Sequence, residues 1–148
     1  NFSIDELTST VGNLVINTSG TATPTPTPTP TPSPTPAPSV TTYTVTVAEY
    51  YGANYFYING SRAATLNLTE GQTYRFDQSD STNSGHPLRF STTSNGTHGG
   101  GTEYTTGVTT SGTPGSSGAY TQIEVASGAP TLYYYCTNHS GMGGVINT

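Results

Sequence analysis

Four residues in this chain have side chains that could hold a soft metal ion: His86, Cys136, His139 and Met142. Three of them fall in one short segment, Tyr133-Tyr134-Tyr135-Cys136-Thr137-Asn138-His139-Ser140-Gly141-Met142-Gly143, at the spacing Cys-x-x-His-x-x-Met. Thiolate and thioether are soft ligands and imidazole is intermediate. Two imidazoles, one thiolate and one thioether suit copper in both oxidation states, whereas zinc is served poorly by a Met ligand. Cys136 is the one cysteine of the chain, so no intramolecular disulfide can form, and a lone thiol calls for another use. A lone Cys or His is usually a packed or solvated bystander; four ligands of three types together are not. No hydrolase arrangement accompanies them. His98, in Thr97-His98-Gly99-Gly100-Gly101, is expected to be a solvated loop residue.

These ligands need strands to deliver them. From residue 40 onward the chain reads as short alternating strands between turn signals. Tyr43, Val45 and Val47 alternate with Thr. Tyr55-Phe56-Tyr57-Ile58 precedes the turn Asn59-Gly60, and Ala64 to Leu68 reads as a strand before Glu70-Gly71. Tyr74 and Phe76, then Leu88 and Phe90, then Thr121, Ile123 and Val125 continue the pattern. Leu132, Tyr134 and Cys136 share one face of a strand that ends at the thiol, and Val145-Ile146 closes the chain. Between Ser91 and Ser117 the chain is rich in Gly, Ser and Thr, which predicts long loops with a short strand near Thr102–Val108. No stretch has helical periodicity. This pattern predicts an all-β sandwich or barrel over residues 40–148.

The Cys-x-x-His-x-x-Met loop resembles the C-terminal copper loop of the cupredoxins, the blue copper proteins, and is most similar to the short-loop amicyanin type. Ser84-Gly85-His86-Pro87-Leu88-Arg89-Phe90 resembles the family's other ligand segment. Leu66-Asn67-Leu68-Thr69-Glu70-Gly71-Gln72-Thr73-Tyr74-Arg75-Phe76 resembles the strand–turn–strand before it. The resemblance covers nearly all of residues 40–148 in family order. It implies a Greek-key β-sandwich and one copper ion, with His86, Cys136 and His139 in the trigonal plane and Met142 axial. One departure stands out. The residue after the first His usually donates a backbone N–H to the thiolate sulfur, and here it is Pro87, which has none. A hydrogen bond that tunes the redox potential is therefore expected to be missing. Asn138 also begins a glycosylation sequon inside the ligand loop, where a glycan would crowd the site.

Ahead of this domain lie two further parts. Residues 1–20 are a short, partly apolar lead. Gly12-Asn13-Leu14-Val15-Ile16-Asn17-Thr18 reads as a strand and is similar to the chain's own end, Gly143-Gly144-Val145-Ile146-Asn147-Thr148. Residues 21–39 alternate Pro with Thr, which forbids helix and sheet and predicts polyproline II. At about 3.1 Å per residue the tract reaches on the order of 50 Å. That exceeds the roughly 40 Å width expected of a domain of this size.

Composition sets the setting. Only 7% of the 148 residues are charged, there is no Lys, and the net charge of −5 comes from scattered acids. Nothing here could neutralise a row of phosphates, so nucleic-acid binding is excluded. No apolar run is long enough to span a bilayer. The chain begins at Asn1 rather than Met and reads as a processed form or a fragment. Sequons at Asn1, Asn17, Asn59, Asn67, Asn95 and Asn138 point to an exported glycoprotein, extracellular or at a cell surface. Thr23, Thr25, Thr27, Thr29, Thr31 and Thr35 are O-glycosylation candidates, as in mucin-like stalks.

Two functions of different classes follow. In the first, the chain is the structural subunit of an extracellular glycosylated filament or surface layer. The domain is the bead and the Pro-Thr tract the spacer. Leu14, Val15 and Ile16 add as a strand to the next copy, giving a head-to-tail homopolymer. In the second, it is a copper-binding or electron-transfer module tethered to a surface by its stalk. The small polar residues Ser140, Gly141 and Gly143 give no sign of an apolar docking patch beside His139. An enzyme is not expected.

Overall fold

A computed structural model describes residues 39–148. The expected lead strand, the polyproline II tract, the assembly residues Leu14, Val15 and Ile16, and the candidate acceptors Asn17, Thr23, Thr25, Thr27, Thr29, Thr31 and Thr35 lie outside the described residues.

The described part is all-β. Ten strands run in chain order as β1 (Val40–Tyr50), β2 (Ala53–Ile58), β3 (Ser61–Arg62), β4 (Leu66–Asn67), β5 (Thr73–Asp77), β6 (Leu88–Ser91), β7 (Val108–Ser111), β8 (Tyr120–Glu124), β9 (Leu132–Cys136) and β10 (Gly143–Asn147). They form a six-stranded sheet, β3-β2-β1-β5-β8-β7, and a four-stranded sheet, β4-β10-β9-β6. Both sheets mix parallel and antiparallel pairs: β1 runs parallel to β5 and β10 parallel to β4, and the other ladders are antiparallel.

Alternation explains the core. Val45, Val47, Phe56, Ile58, Tyr74, Phe76 and Ile123 face inward from the larger sheet. Leu88, Phe90, Leu132, Tyr134, Cys136 and Ile146 meet them from the smaller one. Phe76 and Phe90 touch across the layers, edge to face, with ring centroids 5.3 Å apart. Three expectations shift. The strand expected over Ala64–Leu68 narrows to Leu66–Asn67, the two residues that pair with β10. The strand expected near Thr102–Val108 begins at Val108, where pairing with β8 starts. Two short 3-10 helices, Ser81–Asn83 and Gly96–Gly99, interrupt the loops. Such single turns are too short to carry helical periodicity.

One of them prepares the site. Asp80 caps the first turn: its carboxylate accepts from the Thr82 N–H and hydroxyl, and those bonds hold its pKa below the ordinary value. The Thr82 hydroxyl oxygen in turn accepts the Val47 N–H at 2.9 Å. The turn is thus tied to β1, and it presents Asn83, fully buried, three residues before His86.

Candidate metal centre

Strand register brings the distant ligand segments together. β6 and β9 are antiparallel with Leu88 opposite Cys136. His86, just ahead of β6, therefore arrives at the same sheet end at which β9 releases Cys136. β10 then pairs back on β9 with Gly143 opposite Tyr135, so the chain between Cys136 and Gly143 must turn tightly over that end. The Cys136 N–H donates to the Met142 carbonyl at 2.9 Å and closes the base of the loop. The Thr137 N–H donates to the Pro87 carbonyl at 3.1 Å and joins the two ligand segments.

The result is a cluster in which one donor atom each from His86, Cys136 and His139 lies within 4.8 Å of the others. The Cys136 Sγ is 3.9 Å from His86 Nδ1 and 3.5 Å from His139 Nδ1. The two imidazole rings lie 4.5 Å apart between centroids, tilted by 38°. Cys136 is buried, His86 half-buried and His139 exposed, which leaves one histidine edge facing solvent. Met142 is 2% exposed and packs in the core beside this loop.

This donor set can be tested against a metal ion. First-row ions such as zinc sit about 2.3 Å from a thiolate and about 2.0 Å from an imidazole nitrogen. Donors spread by roughly 110–120° around such an ion then lie about 3.6–3.8 Å apart. The two sulfur–nitrogen separations, 3.9 and 3.5 Å, bracket that range, so the thiol and the two imidazoles fit a bound ion. Burial, and then the nearby His139, push the His86 pKa below its ordinary value, which keeps the imidazole neutral with a free lone pair.

Burial pushes the Cys136 thiol pKa up, and the backbone of Asn138 and His139 in the ligand loop opposes that shift. His98 is an exposed loop residue, as expected, and its Nε2 also lies 3.0 Å from the Cys136 carbonyl oxygen. The signal that could have found it is Gly96, whose missing Cβ lets the 3-10 turn lie flat on the Tyr135 ring. Tyr135 is 1% exposed although its neighbour Tyr134 already faces the core, so β9 is covered on both faces.

Nor is the surface beside His139 plain. A shallow pocket of about 220 Å³ is lined by Ala53, Asn54, Tyr55, His139, Ser140 and Met142. Tyr55 borders a small aromatic cluster with Tyr50 and Tyr51, over which the Arg62 guanidinium lies 3.5 Å from the Tyr50 ring centre. These tyrosines come from the β1–β2 hairpin, far from the ligands in sequence.

The domain's sequons differ in what their carboxamides do. Asn59 and Asn67 are exposed and use their side-chain oxygens as acceptors, for the Thr44 N–H and the Asn147 amide. Asn95 and Asn138 instead donate through Nδ2, to Ser140 Oγ and to the Gly85 carbonyl. No protein-family model matches this chain, and no curated protein matches it.

Proposed function

We propose that residues 40–148 form a cupredoxin-like domain that binds one copper ion through His86, Cys136, His139 and Met142. The observation that carries this reading is the convergence of two imidazole Nδ1 atoms on one buried cysteine sulfur, at 3.9 and 3.5 Å. The strand order, the position of the ligand loop between the last two strands, and the soft donor set support it. Bound there, copper would supply one-electron redox chemistry. The protein's own contribution is to hold the donors at one sheet end and to exclude water from the sulfur. It also leaves the His139 edge exposed beside the pocket that Tyr55 lines, which suits electron exchange with a partner.

Copper(II) added to the purified chain is expected to give a strong visible band from thiolate charge transfer, saturating at one equivalent. Cys136→Ser should abolish that band, and Met142→Leu should shift it while leaving it present. A chain that stays colourless with excess copper(II) would overturn the reading.

A second reading makes the chain the repeating subunit of an extracellular, glycosylated filament or surface layer, with the copper-type domain as its bead. Its support is the likeness of Asn13–Thr18 to Gly144–Thr148. The C-terminal copy forms β10, and β4 pairs with β10 only at Ile146 and Asn147. Among the described residues no strand pairs with Gly143–Val145 on that flank, so a strand of like sequence from another copy has a place to add. The two readings are compatible.

A further inference from the structure

The loop from Thr137 to Met142 delivers two of the four candidate ligands, yet Asn138, His139, Ser140 and Gly141 are all exposed. Burial therefore does not set its path. Gly141 turns through φ +80°, so the loop tip relies on hydrogen bonds to hold a conformation that few residues adopt. The loop's own contact, from Cys136 N–H to the Met142 carbonyl, closes only its base.

The tip is held from outside. Asn95 Oδ1 accepts the Gly141 N–H at 2.8 Å, and Asn95 Nδ2 donates to Ser140 Oγ at 2.9 Å. One carboxamide thus grips two successive residues directly after His139. Asn95 itself sits at φ 62°, a left-handed conformation in which Asn is enriched. The turn that carries it is anchored on β9 at two further points. Gly96 lies on the Tyr135 ring, and His98 Nε2 meets the Cys136 carbonyl. The segment from Asn95 to His98 is a strut between the strand that bears the thiol and the tip of the loop that bears His139.

We propose that Asn95 is a positioning residue of the metal centre, holding Ser140 and Gly141 so that His139 Nδ1 stays directed at the Cys136 sulfur. Asn95 also begins the sequon Asn95-Gly96-Thr97, and its Nδ2 is committed to Ser140. The spectroscopic part of the proposal rests on the copper reading; the loop-holding part does not.

Two variants test it in the full chain. Asn95→Gly removes the carboxamide without strain at positive φ. Asn95→Asp keeps an acceptor for the Gly141 N–H and for the Ser140 hydroxyl. In metal-free protein, hydrogen exchange at the Gly141 amide, read by NMR, should be slow in the parent. It should rise about tenfold or more in Asn95→Gly and stay near the parent rate in Asn95→Asp. With copper(II) bound, Asn95→Gly should shift the charge-transfer band and the copper hyperfine splitting, while thermal stability of the metal-free chain changes by only a few degrees. A parent Gly141 amide that exchanges at the unprotected rate would overturn the proposal, whether or not the variants fold. So would an Asn95→Gly chain with unchanged exchange and an unchanged spectrum. If the parent binds no copper, the copper reading fails and the exchange result alone decides whether Asn95 holds the loop.

Discussion

Pro87 breaks the backbone hydrogen bonding of the segment that carries His86, and Gln78 spans the break. This side chain is 1% exposed. Its Nε2 donates to the His86 carbonyl at 2.8 Å, and its Oε1 accepts the Leu88 N–H at 3.1 Å. One carboxamide thus serves the backbone groups on both sides of the proline. Behind it, Asn83 Nδ2 donates to the Val45 carbonyl at 2.7 Å, which ties the arrangement to β1. Gln78→Leu would keep most of the volume and orphan both backbone groups. Each buried group left without a partner costs roughly 1–3 kcal/mol, so a loss of about 2–4 kcal/mol is expected in urea unfolding of the metal-free chain. Copper affinity should fall as well, because His86 loses its anchor. At this scale the sequence discloses little. Most residues from Gln78 to Gly85 are polar, and nothing in residue type tells that Gln78 and Asn83 are buried while Ser81 and Thr82 are not.

Among the elements, β9 and β10 decide where the ligand loop begins and ends. Gly143 opens β10 opposite Tyr135, and a Cβ there would run into the Tyr134 backbone carbonyl. The close approach of the two strands is what forces six residues to turn over the sheet end. Gly141→Ala and Gly143→Ala should fail for different reasons. At Gly141 there is open space, and the cost is the φ of +80°, on the order of 1–2 kcal/mol. At Gly143 the added methyl must push the strands apart, which costs about 1–3 kcal/mol and spreads the loop base. Urea unfolding is expected to show both losses, and only Gly143→Ala should weaken the Cys136 N–H to Met142 bond, seen as faster exchange at the Cys136 amide. The strands themselves were legible: alternation located β1, β2, β5, β6, β8, β9 and β10. Their partners were not, because period-2 patterning tells which face is apolar and leaves open which strand lies alongside.

For the whole molecule, the question is how residues 1–20 are used. Their apolar residues Leu14, Val15 and Ile16 are too few to build a core. The filament reading gives them the open flank of a neighbour's β10 at Gly143–Val145. Deleting residues 1–20 should then leave a folded, soluble chain that binds copper as the parent does and does not polymerise. Electron microscopy and light scattering of parent and truncated chains check this. Filaments from the truncated chain would sink strand exchange and leave the metal reading untouched.

The sequence by itself determined the all-β class, the local spacing Cys-x-x-His-x-x-Met and the scarcity of charge, because these are properties of neighbouring residues or of composition. Tertiary structure alone decided that His86 meets Cys136 from fifty residues away, that Tyr135 is buried on the outer face of β9, and that Gln78 meets the backbone beside Pro87, Asn95 the Ser140–Gly141 tip and His98 the Cys136 carbonyl. The physical reason is the same in each case. A polar side chain is placed by the partner it finds, and that partner is set by strand register and by which loop covers which face. An Asn or Gln that clamps a ligand loop has the same local sequence as one that faces water.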